Sequence, residues 1–315
     1  MKAVVQEEFG GPEVLKLADV PRPVPGIAEV LVRVHATAIN PTDSWHRASG
    51  GITGLFGGEP RIIPLGWDLS GVVEEVGPGV TLFQPGDEVF GMPGHPGPGR
   101  TYAEYALSPA RHLARKPAGL THVEAAALPL AGLTAWQALV DTADVRPGQR
   151  VLVHAAAGGV GHLAVQIAKA RGAYVIGTAG AGKHELLREL GADELVDYRE
   201  TDFAEAVRDV DVVLDLIGGE YGPRSLRTLR PGGRIVSLAG PHEAALAPEA
   251  EARGFVAGFM GVESDGQAMR ELAAMAADGR LRPHVDAVFP LADAAGAHAL
   301  LDTKRTTGKI VLTAV

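Results

Sequence analysis

The chain predicts an α/β protein with a mostly-β first region and a parallel-sheet second region. Three observations carry that expectation: short apolar runs cut by Gly and Pro over the first 120 residues, strand–helix alternation from Thr121 onward, and a glycine cluster set between an apolar strand and a helix. In the first region Lys2–Gln6, Glu29–Ala38, Leu69–Val76 and Glu88–Phe90 predict strands, because each concentrates apolar and β-branched residues between turn formers. At 121 the texture changes. Val123–Leu128 and Thr134–Thr142 have helical spacing, and Arg150–His154 is a compact apolar strand that runs into glycines. Strands Tyr174–Thr178, Glu194–Asp197, Val210–Leu214 and Gly233–Leu238 then alternate with helices Gly161–Arg171, Lys183–Leu190, Phe203–Val207 and Tyr221–Thr228. Such alternation demands crossovers, so the sheet is expected to be mostly parallel and covered on both faces. Gly254–Met260 would lengthen it. The tail, with helix Gly266–Asp278 and strands Val285–Pro290 and Lys309–Leu312 framing helix Ala292–Leu301, is expected to complete the first region.

Composition narrows the function classes. A length of 315 residues accommodates two domains of ordinary size, and 46% hydrophobic with 21% charged residues describes a folded globular chain. The absence of cysteine excludes disulfides, thiolate nucleophiles, iron–sulfur ligation and cysteine-held zinc. The start, Met1-Lys2-Ala3-Val4-Val5, has neither a sustained apolar run nor a small-residue cleavage site, and no long uncharged apolar stretch follows. A cytoplasmic protein with no membrane partner is expected. The net charge of −9, with no basic block, argues against nucleic acid.

The strongest local signal is His154-Ala155-Ala156-Ala157-Gly158-Gly159-Val160-Gly161. Gly158 and Gly159 would let the turn approach a pyrophosphate, and Gly161 would let the following helix start close to the strand and offer its first N–H groups to phosphate. Ala156 stands where the usual G-x-G-x-x-G pattern has its first glycine. This is the signature of a Rossmann-type domain. The second strand ends at Gly177-Thr178-Ala179-Gly180 with no acidic residue for ribose hydroxyls, and Lys183 and Tyr198 follow as partners for a 2′-phosphate. That pattern predicts NADP(H); the bland alternative is that Lys183 faces solvent. Thr178, Ile217, Leu238 and Gly240, at the ends of successive strands, are further expected contacts, Val160 belongs to the turn, and Asp215 either orients a loop or is structural.

Together with Ala131-Gly132-Leu133-Thr134-Ala135-Trp136, Leu190-Gly191-Ala192-Asp193 and Thr307-Gly308-Lys309-Ile310-Val311-Leu312, the glycine stretch resembles the medium-chain dehydrogenase/reductase superfamily, specifically its zinc-free quinone oxidoreductase branch. The resemblance covers nearly the whole chain. It implies a discontinuous, mostly-β GroES-like catalytic domain (1–121 and 263–315) with an inserted Rossmann-type NADP(H)-binding domain (122–262), NADPH in the cleft, and a homodimer, here expected to pair through edge strand Gly254–Met260, the alternative being a sheet edge covered by loops. By motif matching, Thr134 resembles the family's nicotinamide-side contact, and Asn40, in Ile39-Asn40-Pro41-Thr42-Asp43, resembles its loop reaching the nicotinamide. Lys309 is carried over as a cofactor contact.

Two departures shape the expected chemistry. Trp67 and Asp68 stand where the zinc branch has a His-Glu pair, so Asp68 is expected to be a structural carboxylate and no metal is expected. Trp45 stands where quinone reductases often have tyrosine; it offers an aromatic wall and an indole N–H, or alternatively packs in the core. His46 and Arg47 are candidates for substrate polarity, and His95 is expected to be solvent-exposed. Asn40, Trp45 and Thr134 are therefore the expected catalytic residues of an NADPH-dependent quinone or α,β-unsaturated carbonyl reductase. An alcohol or aldehyde oxidoreductase and a non-catalytic NADPH-binding protein are the competing expectations.

Overall fold

The computed structural model describes residues 1–51, 65–238 and 246–314. In chain order the strands are β1 Lys2–Val5, β2 Lys16–Asp19, β3 Glu29–Ile39, β4 Leu69–Val76, β5 Glu88–Gly91, β6 Tyr105–Pro109, β7 Leu113–Arg115, β8 Arg150–Val153, β9 Tyr174–Thr178, β10 Glu194–Val196, β11 Val210–Asp215, β12 Leu229–Ser237, β13 Val256–Phe259, β14 Val285–Pro290 and β15 Lys309–Thr313. The helices are α1 Pro41–Ser49, α2 His122–Ala126, α3 Pro129–Trp136, α4 Gly161–Ala170, α5 His184–Glu189, α6 Phe203–Ala206, α7 Tyr221–Ser225, α8 Leu246–Ala252, α9 Gly266–Ala277 and α10 Ala294–Asp302.

Two compact units form. Met1–Leu133, Val262–Gly279 and Pro283–Val315 make the first, and Thr134–Gly261 with Arg280–Arg282 the second. In the first, the described strands order as β14-β15-β3-β4-β5-β7, with β6 also on β3; the β3, β4, β5, β6, β7 and β15 pairings are antiparallel, whereas β14 runs parallel to β15. The tail thus does complete the first region's sheet. Alternation on β3 sends Val30, Val32 and Val34 into one cluster with Leu69, Val73, Val89 and Leu113. A second cluster joins Val4, Ile39, Leu65 and Tyr102 to Leu291, Ala294, Ala297 and Ile310. Helix α2 belongs to this unit because Ala126 and Ala127 pack on Ala36, Ala38 and Val311.

In the second unit the described strands order as β10-β9-β8-β11-β12-β13, every pairing parallel. The order reverses at β8, whose C-terminal end carries the glycine turn, the place where open α/β sheets bind ligands. Leu152, Ile176, Val213 and Ile235 fill the sheet's core against Phe203, Leu226 and Ala250. Gly161 starts α4 so close to the turn that a Cβ would come 2.3 Å from the Ala155 carbonyl oxygen. Gly177 is constrained less severely, since a Cβ there would meet the Ala156 Cβ at 2.9 Å.

Beneath the turn His154 is fully buried. Ser225 Oγ donates to the Tyr221 carbonyl (2.6 Å), so its remaining capacity accepts from His154 Nε2–H (2.9 Å). The neutral ring then offers Nδ1 as acceptor to the Thr178 hydroxyl (3.1 Å), which in turn accepts the Ala155 N–H (3.3 Å). Ala155 needs that support: its φ is +46°, in the left-handed region. The ring is also packed edge-on to Phe203 and Tyr221.

Burial, reinforced by the Arg224 charge, pushes the His154 ring down to about 3 from an ordinary 6.5. Below pH 6.5 the unfolded chain takes up a proton that the folded chain refuses. Stability attributable to this site is therefore complete above pH 6.5 and is lost as pH falls toward 3, at up to about 1.4 kcal/mol per pH unit. Thermal melts of wild type and His154→Gln between pH 7 and 4 should show a shallower acid dependence in the variant, by roughly one proton; parallel curves would defeat this account.

Candidate functional site

In the first unit the site is built from the sequence Asn40-Pro41-Thr42-Asp43. Pro at the first helical position and an acid at the third start α1 at once, so the stretch expected as a loop is a helix cap. Asp43 Oδ2 accepts the Asn40 N–H (2.8 Å) and its Oδ1 the Gly66 N–H (2.8 Å). Asn40 sends its own side chain away from the helix. Its Nδ2 donates to Asp68 Oδ2 (2.8 Å) and its Oδ1 accepts from Lys309 Nζ. Lys309 Nζ also donates to the Ile39 carbonyl (3.1 Å) and lies 3.4 Å from Asp68 Oδ2, while Asp68 Oδ1 accepts the Leu130 N–H at the start of α3 (2.6 Å). Asn40, Asp43, Asp68 and Lys309 are all at most 3% exposed.

One buried cluster therefore ties the starts of α1 and α3 to the first residue of β15. Helix α1 carries Trp45, and α3 runs on into the second unit, which begins at Thr134. Trp45 stands on α1 and is 46% exposed, which answers the core-packing alternative. Thr134 stands on α3 one turn beyond Leu130 and is 7% exposed; α3 continues as a π-helical segment, Gln137–Thr142. Asn40 is 1% exposed, and both ends of its amide are engaged inside the protein. Lys309 is as deeply placed, its ammonium directed to Asn40 and Asp68.

Burial pushes the Asp43 carboxyl up to about 7, against the pull of its two backbone donors, and Asp68 adds to the rise. Tyr102, itself pushed well above its ordinary value by burial, hydrogen-bonds Asp43. Behind it the donors run in one direction. Arg47 Nη1 must donate to His298 Nδ1 (2.9 Å), leaving His298 Nε2–H for the Tyr102 oxygen (3.2 Å) and the Tyr102 hydroxyl proton for Asp43. Arg47 is closed by Asp302 at 2.7 Å. Its guanidinium is thus spent on the fold, and substrate polarity is not its role in this structure. His46 is buried too: Nδ1 bonds the Thr42 carbonyl (2.8 Å) and the ring packs on Trp67. His95 also differs from expectation, because Trp67 packs against its ring and its Nδ1 bonds the Val262 carbonyl (2.9 Å).

In the second unit Gly158, Gly159, Val160 and Gly161 form the turn between β8 and α4, Gly161 fully enclosed and the other three partly exposed. Thr178 is 1% exposed with its hydroxyl held by His154 and Ala155, so it supports the turn from within. Asp215 Oδ1 accepts the N–H groups of Ile217 (2.9 Å) and Gly218 (3.0 Å), leaving Ile217 42% exposed on the loop; Leu238 follows β12, its N–H on the Asp215 carbonyl. Gly240 lies outside the described residues. Lys183 precedes α5 and Tyr198 is 48% exposed. Sequence reasoning missed Arg199. Its guanidinium lies over Gly180, 3.2 Å from where a Cβ would stand. Asp197 arranges this by accepting both the Ala181 and the Arg199 N–H groups (2.9 and 3.0 Å). The available signal was a second basic residue beside Tyr198.

Among the described residues no helix is long and apolar enough to cross a membrane. Residues 26–118 match the family described as alcohol dehydrogenase GroES-like domain, and residues 190–312 the one described as zinc-binding dehydrogenase. The chain's donors do not fit zinc. It has no cysteine, no three His, Asp or Glu side chains are grouped so as to hold a metal ion among the described residues, and the Lys309 ammonium already fills the space between the Asn40 and Asp68 oxygens. Quinone oxidoreductase of Mus musculus is 35% identical over 331 positions, covering 99% of this chain and 97% of that protein. Pikromycin polyketide synthase component PikAII of Streptomyces venezuelae is 38% identical over 307 positions, 93% of this chain but only 8% of that much longer protein. Among solved structures, the quinone oxidoreductase from Coxiella burnetii superposes with a TM-score of 0.94 at 37% identity, covering 100% of this chain and 99% of the other. An NAD-dependent alcohol dehydrogenase gives 0.89 at 38%, covering all of both chains, and Escherichia coli quinone oxidoreductase complexed with NADPH gives 0.85 at 30%, covering 99% and 100%. The chain belongs to the medium-chain dehydrogenase/reductase superfamily, in its zinc-independent quinone-oxidoreductase-like branch.

Proposed function

We propose that this protein transfers a hydride from NADPH to a quinone or an α,β-unsaturated carbonyl compound without a metal. The observation that carries the reading is the end of β9 with its neighbouring loop: Thr178, Ala179 and Gly180 offer no carboxylate, the Arg199 guanidinium lies over Gly180, and Lys183 and Tyr198 stand on the segments that follow β9 and β10. A guanidinium and an ammonium attract a 2′-phosphate, and the neighbouring Asp197 carboxylate is engaged by the Ala181 and Arg199 N–H groups. The turn fits the rest of a dinucleotide, because its tight packing at Gly161 leaves room for backbone alone, and α4, ten residues long, begins there.

When bound, NADPH supplies the hydride. The chain's task is to hold and orient. In this reading Gly158, Gly159, Val160 and Gly161 cradle the pyrophosphate, with Ile217, Leu238 and Gly240 as further contacts. Thr134 and Asn40 serve the nicotinamide side. Trp45 offers an indole face for a planar acceptor and an N–H for its oxygen, where charge develops as the hydride arrives. Solvent supplies the proton. With no zinc to polarise a simple carbonyl, a conjugated acceptor, which spreads that charge over its own π-system, is the better substrate. The similarity to an NAD-dependent alcohol dehydrogenase keeps alcohol or aldehyde oxidoreduction as the second reading. The protein is proposed to act in the cytoplasm as a homodimer, supported by edge strand β13, where Val256 and Phe259 are 56% and 43% exposed.

Initial rates with quinones, enones and simple aldehydes, each with NADPH and NADH, test this directly. NADPH-dependent turnover of quinones or enones is expected, and turnover of aldehydes alone would overturn it. Arg199→Ala should raise the KM for NADPH by about tenfold and leave NADH kinetics within about twofold, the pattern of a contact made only to the 2′-phosphate. Light scattering coupled to size exclusion should give twice the chain mass, and Val256→Lys should shift it toward the monomer; a wild-type monomer would remove the dimer.

A further inference from the structure

Lys309 has a surrounding that a cofactor contact does not need. Its side chain is 3% exposed, and its ammonium faces the Ile39 carbonyl, Asn40 Oδ1 and Asp68 Oδ2. An ammonium has only donors and a carboxylate only acceptors, whereas the Asn40 amide has one of each. The amide therefore has one satisfactory orientation, with its carbonyl toward Lys309 and its NH2 toward Asp68. Turned over, it would set N–H against ammonium and oxygen against carboxylate, leaving bonds to charged groups unmade in a dry site.

We infer that Lys309 is a positioning residue: with Asp68 it locks the Asn40 amide in one orientation at the start of α1, the helix that carries Trp45. The inference rests on the reading that Asn40 and Trp45 serve the reaction. It differs from the role carried over by resemblance, in which Lys309 itself touches the cofactor. Asp68 does a second job in the same cluster, since its other oxygen holds the Leu130 N–H that opens α3. The lysine keeps two neighbouring buried carboxylates, Asp43 and Asp68, from standing without a cation.

The test separates positioning from mere stability. Lys309→Met removes the donors and leaves Asp68 without its cation. Lys309→Met/Asp68→Asn removes both charges, and the amide introduced at position 68 then presents an NH2 that favours the opposite amide orientation at Asn40. Three quantities are measured on the full chain: kcat with a quinone, the melting temperature, and the Asn40 side-chain NH2 resonances in asparagine-labelled protein. Lys309→Met should lower kcat by about tenfold with NADPH affinity changed by less than about threefold, and should move the Asn40 resonances. The double variant should regain melting temperature and not kcat. If the single variant does not fold, the double variant decides alone. Unchanged kcat and Asn40 resonances in folded Lys309→Met would overturn the inference, as would kcat recovering in step with stability in the double variant. Absence of NADPH turnover in wild type would defeat the proposed function instead, and the Asn40 resonances would still report on Lys309.

Discussion

The first unit depends on how one buried carboxylate, Asp68, is satisfied. A charge taken out of water costs several kcal/mol unless partners surround it, and a fully buried aspartate must collect them from wherever the chain passes. Asp68 collects a side-chain amide from the cap of α1, a backbone N–H from the start of α3 and an ammonium from β15. These partners come from residues 40, 130 and 309, so the penalty is relieved only when distant segments are all in place. A hydrophobic contact would be looser about direction. Hydrogen bonds to one carboxylate fix where each helix begins and hence where Trp45 stands along α1.

The second unit solves a related problem with no charge. The turn between β8 and α4 must hold backbone in a shape that side chains resist, with Ala155 at positive φ and Gly161 against the Ala155 carbonyl. Neutral His154 braces it from below through a sequence of donors in which each group has one assigned direction. The same logic recurs in the first unit, where Arg47 fixes the tautomer of His298 and so the direction of the Tyr102 hydroxyl toward Asp43. In both places a histidine kept neutral by burial serves as a two-ended connector. A protonated ring would have donors at both ends and would break the sequence at its acceptor.

Much of this architecture was legible in the sequence. The apolar runs at Leu69–Val76, Tyr174–Thr178 and Val285–Pro290 match their strands residue for residue, because period and turn formers are local signals. Strands β2, β6 and β7 were not, since their strand state comes from pairing with β1, β3 and β5. Helix α1 hid behind a proline that is a breaker inside a helix and a starter at its first turn. The glycine turn was readable because only a backbone reason explains glycine there. Arg47, His46 and His95 looked available for chemistry or solvent; what assigns them to the fold is contact with Asp302, Trp67 and Val262, distant in sequence. Arg199 was overlooked for the converse reason, as its closeness to Gly180 is set by Asp197 linking two loops.

Hydride transfer asks little of a protein in the way of covalent chemistry and much in the way of placement, since reactivity resides in the cofactor and depends on distance and angle. A chain without a metal has no Lewis acid with which to compensate for a loose fit. The buried clusters meet that demand by committing ionic and polar groups to orientation. Lys309 and Asp68 act together on the Asn40 amide from opposite sides, one donating only and the other accepting only, so that a side chain with two nearly isosteric ends is left with a single choice. A metal-binding version of such a site would achieve rigidity through coordination. Here the cation is covalently part of the chain, arrives with β15 and can be neither lost nor exchanged, so the geometry at the start of α1 is settled once the C-terminal strand has joined the sheet.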